Sequence, residues 1–290
     1  MATLGDDRLE GRQDHTAAGH SIVIMTFLCL AMYNVLELQY IIFSAFKKYQ
    51  GLYFWSCIIS SWGIAFNATG YMLRHLQASS KLTYATVILI GWSTMITGQS
   101  LILYSRLHLV CPEPRRLRYV LAMIIVDAVW LGIPIIVLVY GTNSSNPLPF
   151  ERPYDIFEKI QLVVFFVQEV IISSIYITEA SRLLKFQFEV GSVANRGIMG
   201  NLILVNAVAI ILDLTIIVLE ITNHYDIQTA WKPFVYSVKL KIEFIVLNRL
   251  VEFSRQLQAA TALQYSDSAD AFAMNRRLGQ TNTPSDITYR

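Results

Sequence analysis

Between Ser21 and Val251 the chain is divided into seven long apolar runs, beginning "SIVIMTF", "LYFWSCI", "LTYATVI", "YVLAMII", "IQLVVFF", "GNLILVN" and "KPFVYSV". Each approaches the ~20 residues with which an α-helix crosses a ~30 Å hydrocarbon core. Inside a bilayer a backbone must satisfy its own polar groups, so runs of this kind commit the chain to helices. Composition agrees, with 54% hydrophobic and only 15% charged residues in 290, where a soluble domain carries about 25% charged. The reading is an all-α polytopic membrane protein, a seven-transmembrane-helix bundle over 21–252. A polar arm (1–20) precedes it and a polar, partly disordered tail (253–290) succeeds it. The start of the tail, "EFSRQLQAATALQYS", suits an amphipathic helix on a membrane surface. The arm has no basic start, so no cleavable signal peptide is expected.

Short loops allow orientation to be read from Lys and Arg. Loops one, three and five hold Lys47, Lys48, Arg106, Arg115, Arg116, Arg118, Arg182, Lys185 and Arg196, and the alternate loops only Arg74, Lys81 and Arg152. This nine-to-three imbalance places the first set in the cytosol, the N-terminus outside or in a lumen, and the C-terminal tail in the cytosol. Asn143 opens an "NSS" glycosylation sequon on the expected outer side, whereas the "NAT" at Asn67 lies inside the second run. The protein is expected to be a glycoprotein of the plasma membrane or an endomembrane.

Charges inside the runs are the candidates for function, because an ionised group at mid-membrane costs roughly 2.5–3.5 kcal/mol on insertion scales and generally faces the bundle interior. They are Glu37, Asp127, Glu169, Asp213, Glu220, Glu243, Lys239 and Lys241. Glu220, near an interface, is the least constrained. Helical spacing gives Asn206, Asp213 and Glu220 one stripe, Tyr33, Glu37 and Tyr40 another, and Tyr236, Lys239 and Glu243 a third. Gln161 and Gln168 share a face beside that of Glu169, Ser173 and Tyr176. Lys239 and Glu243 are spaced as an i,i+4 ion pair. Lys241 points about 200° away and needs a partner on another helix, Glu169 or Asp213. Together with Gln99, these residues suggest a polar intramembrane cavity, with interhelical hydrogen bonding as the plain structural alternative. Gly132 and Pro134 predict a kink near Asp127.

No HExxH, P-loop, G-x-S-x-G or potassium-filter motif occurs. Neither a metal nor a cofactor is expected. Three functions fit this layout. One is receptor-like binding of a small or lipophilic molecule, with a cytosolic protein at the basic loop "RLHLVCPEPRRLRY". The second is a metal-free membrane-embedded cyclase or isomerase of a lipophilic metabolite, using Asp127, Glu169, Asp213 and Glu37 as acids. The third is a transporter or a scaffold for a membrane complex. The expected partners are the bilayer, a small lipophilic ligand and that cytosolic protein, with no nucleic acid. A retinal Schiff base on Lys239 is disfavoured, since the third run carries no carboxylate counter-ion.

The phrases "GLYFWSCIISSWGI", "TGQSLILYSRLHLV", "QEVIISSIYI" and "YSVKLKIEF" resemble those of a family of filamentous-fungal integral membrane proteins of uncharacterised function. The resemblance covers roughly Ile22 to Glu252. It implies family positions at Gln99, Ser105, Arg106, Gln168, Glu169, Tyr176, Asp213, Lys239, Lys241 and Glu243. It implies no activity.

Overall fold

A computed structural model of the chain describes residues 3–45, 51–111, 113–144, 146–189, 196–222, 226–245 and 248, with side chains described from Gly19 onward except at 109, 183–189 and 196–202. The chain divides into two compact units, Met1–Glu243 and Phe244–Arg290, and among the described residues the buried charges lie in the first. Lys47, Lys48 and the tail beyond 248 lie outside the described residues, as do the side chains of Lys185 and Arg196.

Among the described residues the protein is all-helical, with seven helices: α1 (Thr3–Ala45), α2 (Leu52–His75), α3 (Lys81–Val110), α4 (Pro114–Thr142), α5 (Leu148–Glu189), α6 (Arg196–Ile221) and α7 (226–245). α1 takes in the polar arm as well as the first apolar run. α5 is 42 residues long because it extends beyond the fifth apolar run at both ends. Local chemistry sets several ends. Gln77 takes the left-handed conformation (φ 50°) and the Ala78 N–H returns to Leu73 O at 3.1 Å, closing α2. Ser80 then caps α3 by accepting from the Thr83 N–H. Pro114 occupies the first turn of α4, where a missing N–H costs nothing, while Pro134 sits within a helix that continues to Thr142.

Five helices are long and apolar enough to cross a membrane: those containing Gly19–Ala45, Lys81–His108, Pro114–Thr142, Leu148–Arg182 and Ile203–Ile221. Their outer faces are strongly apolar. On α4 alone Ile125, Val126, Val129, Trp130, Ile133 and Val137 are exposed, an arrangement suited to lipid and costly in water. The two helices outside that set, α2 and α7, owe their lower hydropathy to their interior faces. α2 buries Ser56, Ser60, Ser61, Gly63, Asn67 and Gly70 while Trp55, Ile59, Trp62 and Phe66 face outward. α7 buries Lys232, Ser237, Lys239 and Glu243.

Among α1–α6, α2 and α3 make the most extensive contact. A Cβ placed at Gly63, Gly70, Gly91 or Gly98 would fall under 3.0 Å from Met95, Ile88, Asn67 or Ser60 on the facing helix. The glycines recur every seven residues on each helix, so their bare faces meet along two turns in antiparallel register. Ser60 Oγ donates to Met95 O and Asn67 Nδ2 to Ile88 O, both at 3.3 Å. Asn67 is 1% exposed, as expected for a sequon that is not an acceptor.

Candidate functional site

α7 is the axis of the site. It presents Lys232, Lys239 and Glu243 to α5, α6 and α3, and turns Ser237 and Lys241 toward α1, where Asn34 Nδ2 donates to Ser237 Oγ at 3.0 Å. The charges fall at successive depths along its axis, from Lys232 to Glu243, or roughly 16 Å at 1.5 Å per residue.

In the middle layer Lys239 Nζ lies 2.7 Å from Glu169 Oε1 on α5 and 2.7 Å from Asp213 Oδ1 on α6, donating also to Glu169 Oε2 and Asp213 Oδ2. The Tyr236 ring lies 5.1 Å from the same ammonium, within cation–π reach. Lys239 is 1% exposed, so this is a buried triad in which one cation serves two carboxylates. The expected Lys239–Glu243 pair is not formed. With lysine preceding glutamate the i,i+4 order is the weaker one, and two carboxylates on other helices compete for the ammonium.

Glu243 instead faces Arg106 of α3, Nη1 to Oε1 3.7 Å, with both side chains almost wholly buried. The guanidinium sits 4.7 Å from the Tyr176 ring centroid on α5. Arg106 is a loop cation in the sequence count, and the structure corrects this: it is 1% exposed inside α3. The pair is an ionic contact rather than a hydrogen bond, and among the described residues no Arg106 nitrogen has a hydrogen-bond partner. Gln99, one heptad before Arg106 on the same face, is turned toward Glu243 without closing a hydrogen bond to it. Ser105 is half-buried beside it.

A third layer lies toward the Asn143 end. Lys232 Nζ donates to Glu158 Oε1 at 2.6 Å, both buried. Glu220 of α6, expected to be solvated, is 8% exposed and lies within their field. The sequence alone puts Glu158 in a loop and Lys232 at a helix edge. Two spacings point to them: Lys232 precedes Lys239 by one heptad, and Glu158 precedes Glu169 by three turns.

Lys241, on the opposite face, pairs with Glu37 of α1 at 2.5 Å and reaches Asn34 Oδ1 at 3.4 Å. Its partner is thus neither Glu169 nor Asp213, which belong to Lys239. The Glu37 pair is partly exposed, and Tyr33 and Tyr40 are 63% and 75% exposed, so that stripe on α1 lies largely at the surface. Asp127 is half-buried on α4 and makes no hydrogen bond or ion pair with a described side chain. The structure does not bring it to the other acids. Asn206 is buried one heptad from Asp213, as its stripe requires. Gln168 Nε2 donates to Ser100 Oγ at 2.9 Å.

Three cavities succeed one another along α3 and α5. A vestibule of about 310 Å³ lies at the Asn143 end, lined by Tyr71, Arg74, Tyr84, Tyr154, Glu151 and Asp155 among others. A narrow pocket of about 40 Å³ shares Tyr71, Ile88, Val139 and Tyr154 with it and reaches Glu158, Gln161 and Lys232. A third of about 10 Å³ shares Ile96 and Phe165 with the second and is walled by Gln99, Ser100, Gln168, Glu169 and Tyr236. Asn143 lies in the vestibule wall with its Nδ2 donating to Val139 O at 2.8 Å. At the opposite end Arg116 bridges Glu113 and Glu179, both at 2.6 Å, which ties up one cation of the basic loop. Among the described residues no group of three or more His, Cys, Asp or Glu is placed to hold a metal ion.

No curated protein and no solved structure matches the chain. A family model described as a domain of unknown function (DUF7703) matches residues 15–262, taking in both the charged layers on α7 and the glycine-lined α2–α3 pair. The chain therefore belongs to the DUF7703 family, whose function is unknown.

Proposed function

We propose that this is a multi-pass membrane protein that binds a small polar molecule at the Tyr71–Tyr84–Tyr154 vestibule in a receptor-like manner. The observation that carries the reading is the vestibule itself. Its volume of about 310 Å³ is at the lower bound of ligand pockets, roughly 300–1,000 Å³. Tyrosines in its wall offer aromatic faces, while Arg74, Glu151 and Asp155 offer both signs of charge. That lining favours a polar or zwitterionic ligand over the lipophilic one expected from sequence. The buried acids are a poor cyclase site by comparison, since the cavity touching Glu169 has room for about one water.

All seven helices span in this reading, because α2 and α7 spend their polar residues on neighbouring helices rather than on lipid. The Asn143 end faces outward or into a lumen, and the Arg115–Arg118 end faces the cytosol, where exposed Arg115 and Arg118 can meet a protein partner. A glycan on Asn143 would replace one hydrogen of the Nδ2 group, leaving one N–H for Val139 O.

The test is a thermal-shift screen of amines, amino acids and organic acids on purified protein in lipid nanodiscs. Binding predicts hits whose stabilisation weakens at least about tenfold in apparent affinity, or about 1.4 kcal/mol, in Tyr84→Ala and Tyr154→Ala but not in lipid-facing Trp130→Ala. Hits indifferent to both tyrosines would remove the vestibule from consideration.

A further inference from the structure

We infer that the small cavity beside Glu169 is a binding site for one monovalent cation, a sodium ion or a proton. The inference is independent of the vestibule ligand and concerns a different place in the bundle. Two features of the triad's surroundings lead to it.

The first is a charge count. Among the described residues the middle and Arg106 layers together hold two cations, Lys239 and Arg106, against three carboxylates, Glu169, Asp213 and Glu243. All five residues are at most 8% exposed. A buried carboxylate without a matching positive charge is penalised by several kcal/mol, and such a group either takes up a proton or recruits a cation. The groups facing Glu169 are Lys239, Tyr236 and Glu243 from α7 and Asp213 from α6, with Arg106 of α3 beyond Glu243. None of them supplies the missing positive charge.

The second is a set of oxygens with nothing to bind. Gln99 is 2% exposed, its amide nitrogen faces Glu243, and its Oε1 has no hydrogen-bond partner among the described residues. Gln168, 3% exposed, uses its Nε2 on Ser100 and leaves its Oε1 unbonded. Both side chains line the same cavity as Glu169. Unsatisfied buried amides are rare in native proteins and call for an explanation. Two amide oxygens, the Ser100 hydroxyl and the Glu169 carboxylate form a hard-oxygen lining of the kind that suits a hard cation. The cavity's size, about 10 Å³, excludes a larger organic cation.

The experiment uses the full chain in nanodiscs. The thermal unfolding midpoint is tracked while sodium chloride replaces choline chloride at constant ionic strength, over a pH series. Infrared difference spectra record the protonated-carboxyl stretch alongside. A sodium site predicts a wild-type midpoint that climbs with the logarithm of sodium concentration. Glu169→Gln flattens that response, and Gln99→Met, which keeps the shape without the amide, shifts it to at least about tenfold higher sodium. A proton site predicts a carboxyl stretch that Glu169→Gln or Asp213→Asn abolishes. Asp127→Asn, an acid neutralised elsewhere, leaves both signals unchanged. If the variants do not fold, sodium-22 binding and the carboxyl stretch are read on the wild type. A wild type indifferent to sodium at every pH and lacking a titratable buried carboxyl overturns the inference, as does loss of either signal in Asp127→Asn.

Discussion

The α2–α3 contact and the α5–α6–α7 contact solve the same problem by opposite means. In the proposed seven-span arrangement, apolar side chains gain nothing by leaving hydrocarbon for one another's company, so helices must associate through close packing or polar bonds. α2 and α3 do it by removing side chains, with glycines letting the two backbones approach. α5, α6 and α7 do it with long charged side chains, and Lys239 alone fastens three helices. The first interface has no titratable group at its glycine contacts and little freedom to rearrange. The second stores charge where water is scarce, and so can answer to a proton, an ion or a field. The contrast sets a charged seam on α7 against an uncharged, closely packed one on α2–α3.

The largest effect should come from breaking the charged seam on one side only. Lys239→Met leaves two buried carboxylates without their cation and should cost about 3–5 kcal/mol, read as a lowered midpoint in detergent unfolding. Adding Glu169→Gln and Asp213→Asn to it should restore most of the loss, which a purely steric role for Lys239 would not allow. Next in size, Gly91→Ala drives a methyl into the Asn67 backbone, under 3.0 Å away, and overpacking of this kind costs about 1–3 kcal/mol. The glycine defect should be insensitive to pH, whereas the lysine defect should vary with it. A pH-sensitive glycine variant would blur the comparison. Comparable in size, Lys241→Met should cost about 1–3 kcal/mol in the same unfolding assay, since it leaves the Glu37 carboxylate without its cation, though only partly buried. At the end of the scale, Gly132→Ala meets nothing within 4 Å and should be neutral or stabilising by about 0.5–1 kcal/mol, the helical gain of alanine over glycine.

Much of this is legible in the sequence, though unevenly. Helices are a local property, and each apolar run gives one away. Which residues are buried on α7 is equally readable, because Tyr236, Lys239 and Glu243 share a face by spacing alone. Pairing is not, since it depends on which helices are neighbours and at what depth. Lys239 meets Glu169 and Asp213, Lys241 meets Glu37, and Glu243 meets Arg106. Arg106 is misplaced by sequence because a charge at the end of an apolar run looks like the start of a loop, and only α3 continuing to Val110 puts it inside. Asp127 misleads for the converse reason: a charge in an apolar run suggests a cavity, but α4 offers most of that region to lipid. The glycine seam leaves its mark in the heptads 63/70 and 91/98, which mean nothing until the two helices are known to be partners.

The two lysines on α7 have a further mechanical meaning. Lys239 and Lys241 are held on nearly opposite sides of one helix, by α5 and α6 on one side and α1 on the other. A turn of α7 by one residue, about 100°, would pull both ammonium groups off their carboxylates at once. The helix is therefore keyed like a shaft with two offset teeth. It can slide or tilt a little while both teeth stay engaged, but it cannot rotate in its seat without disengaging both.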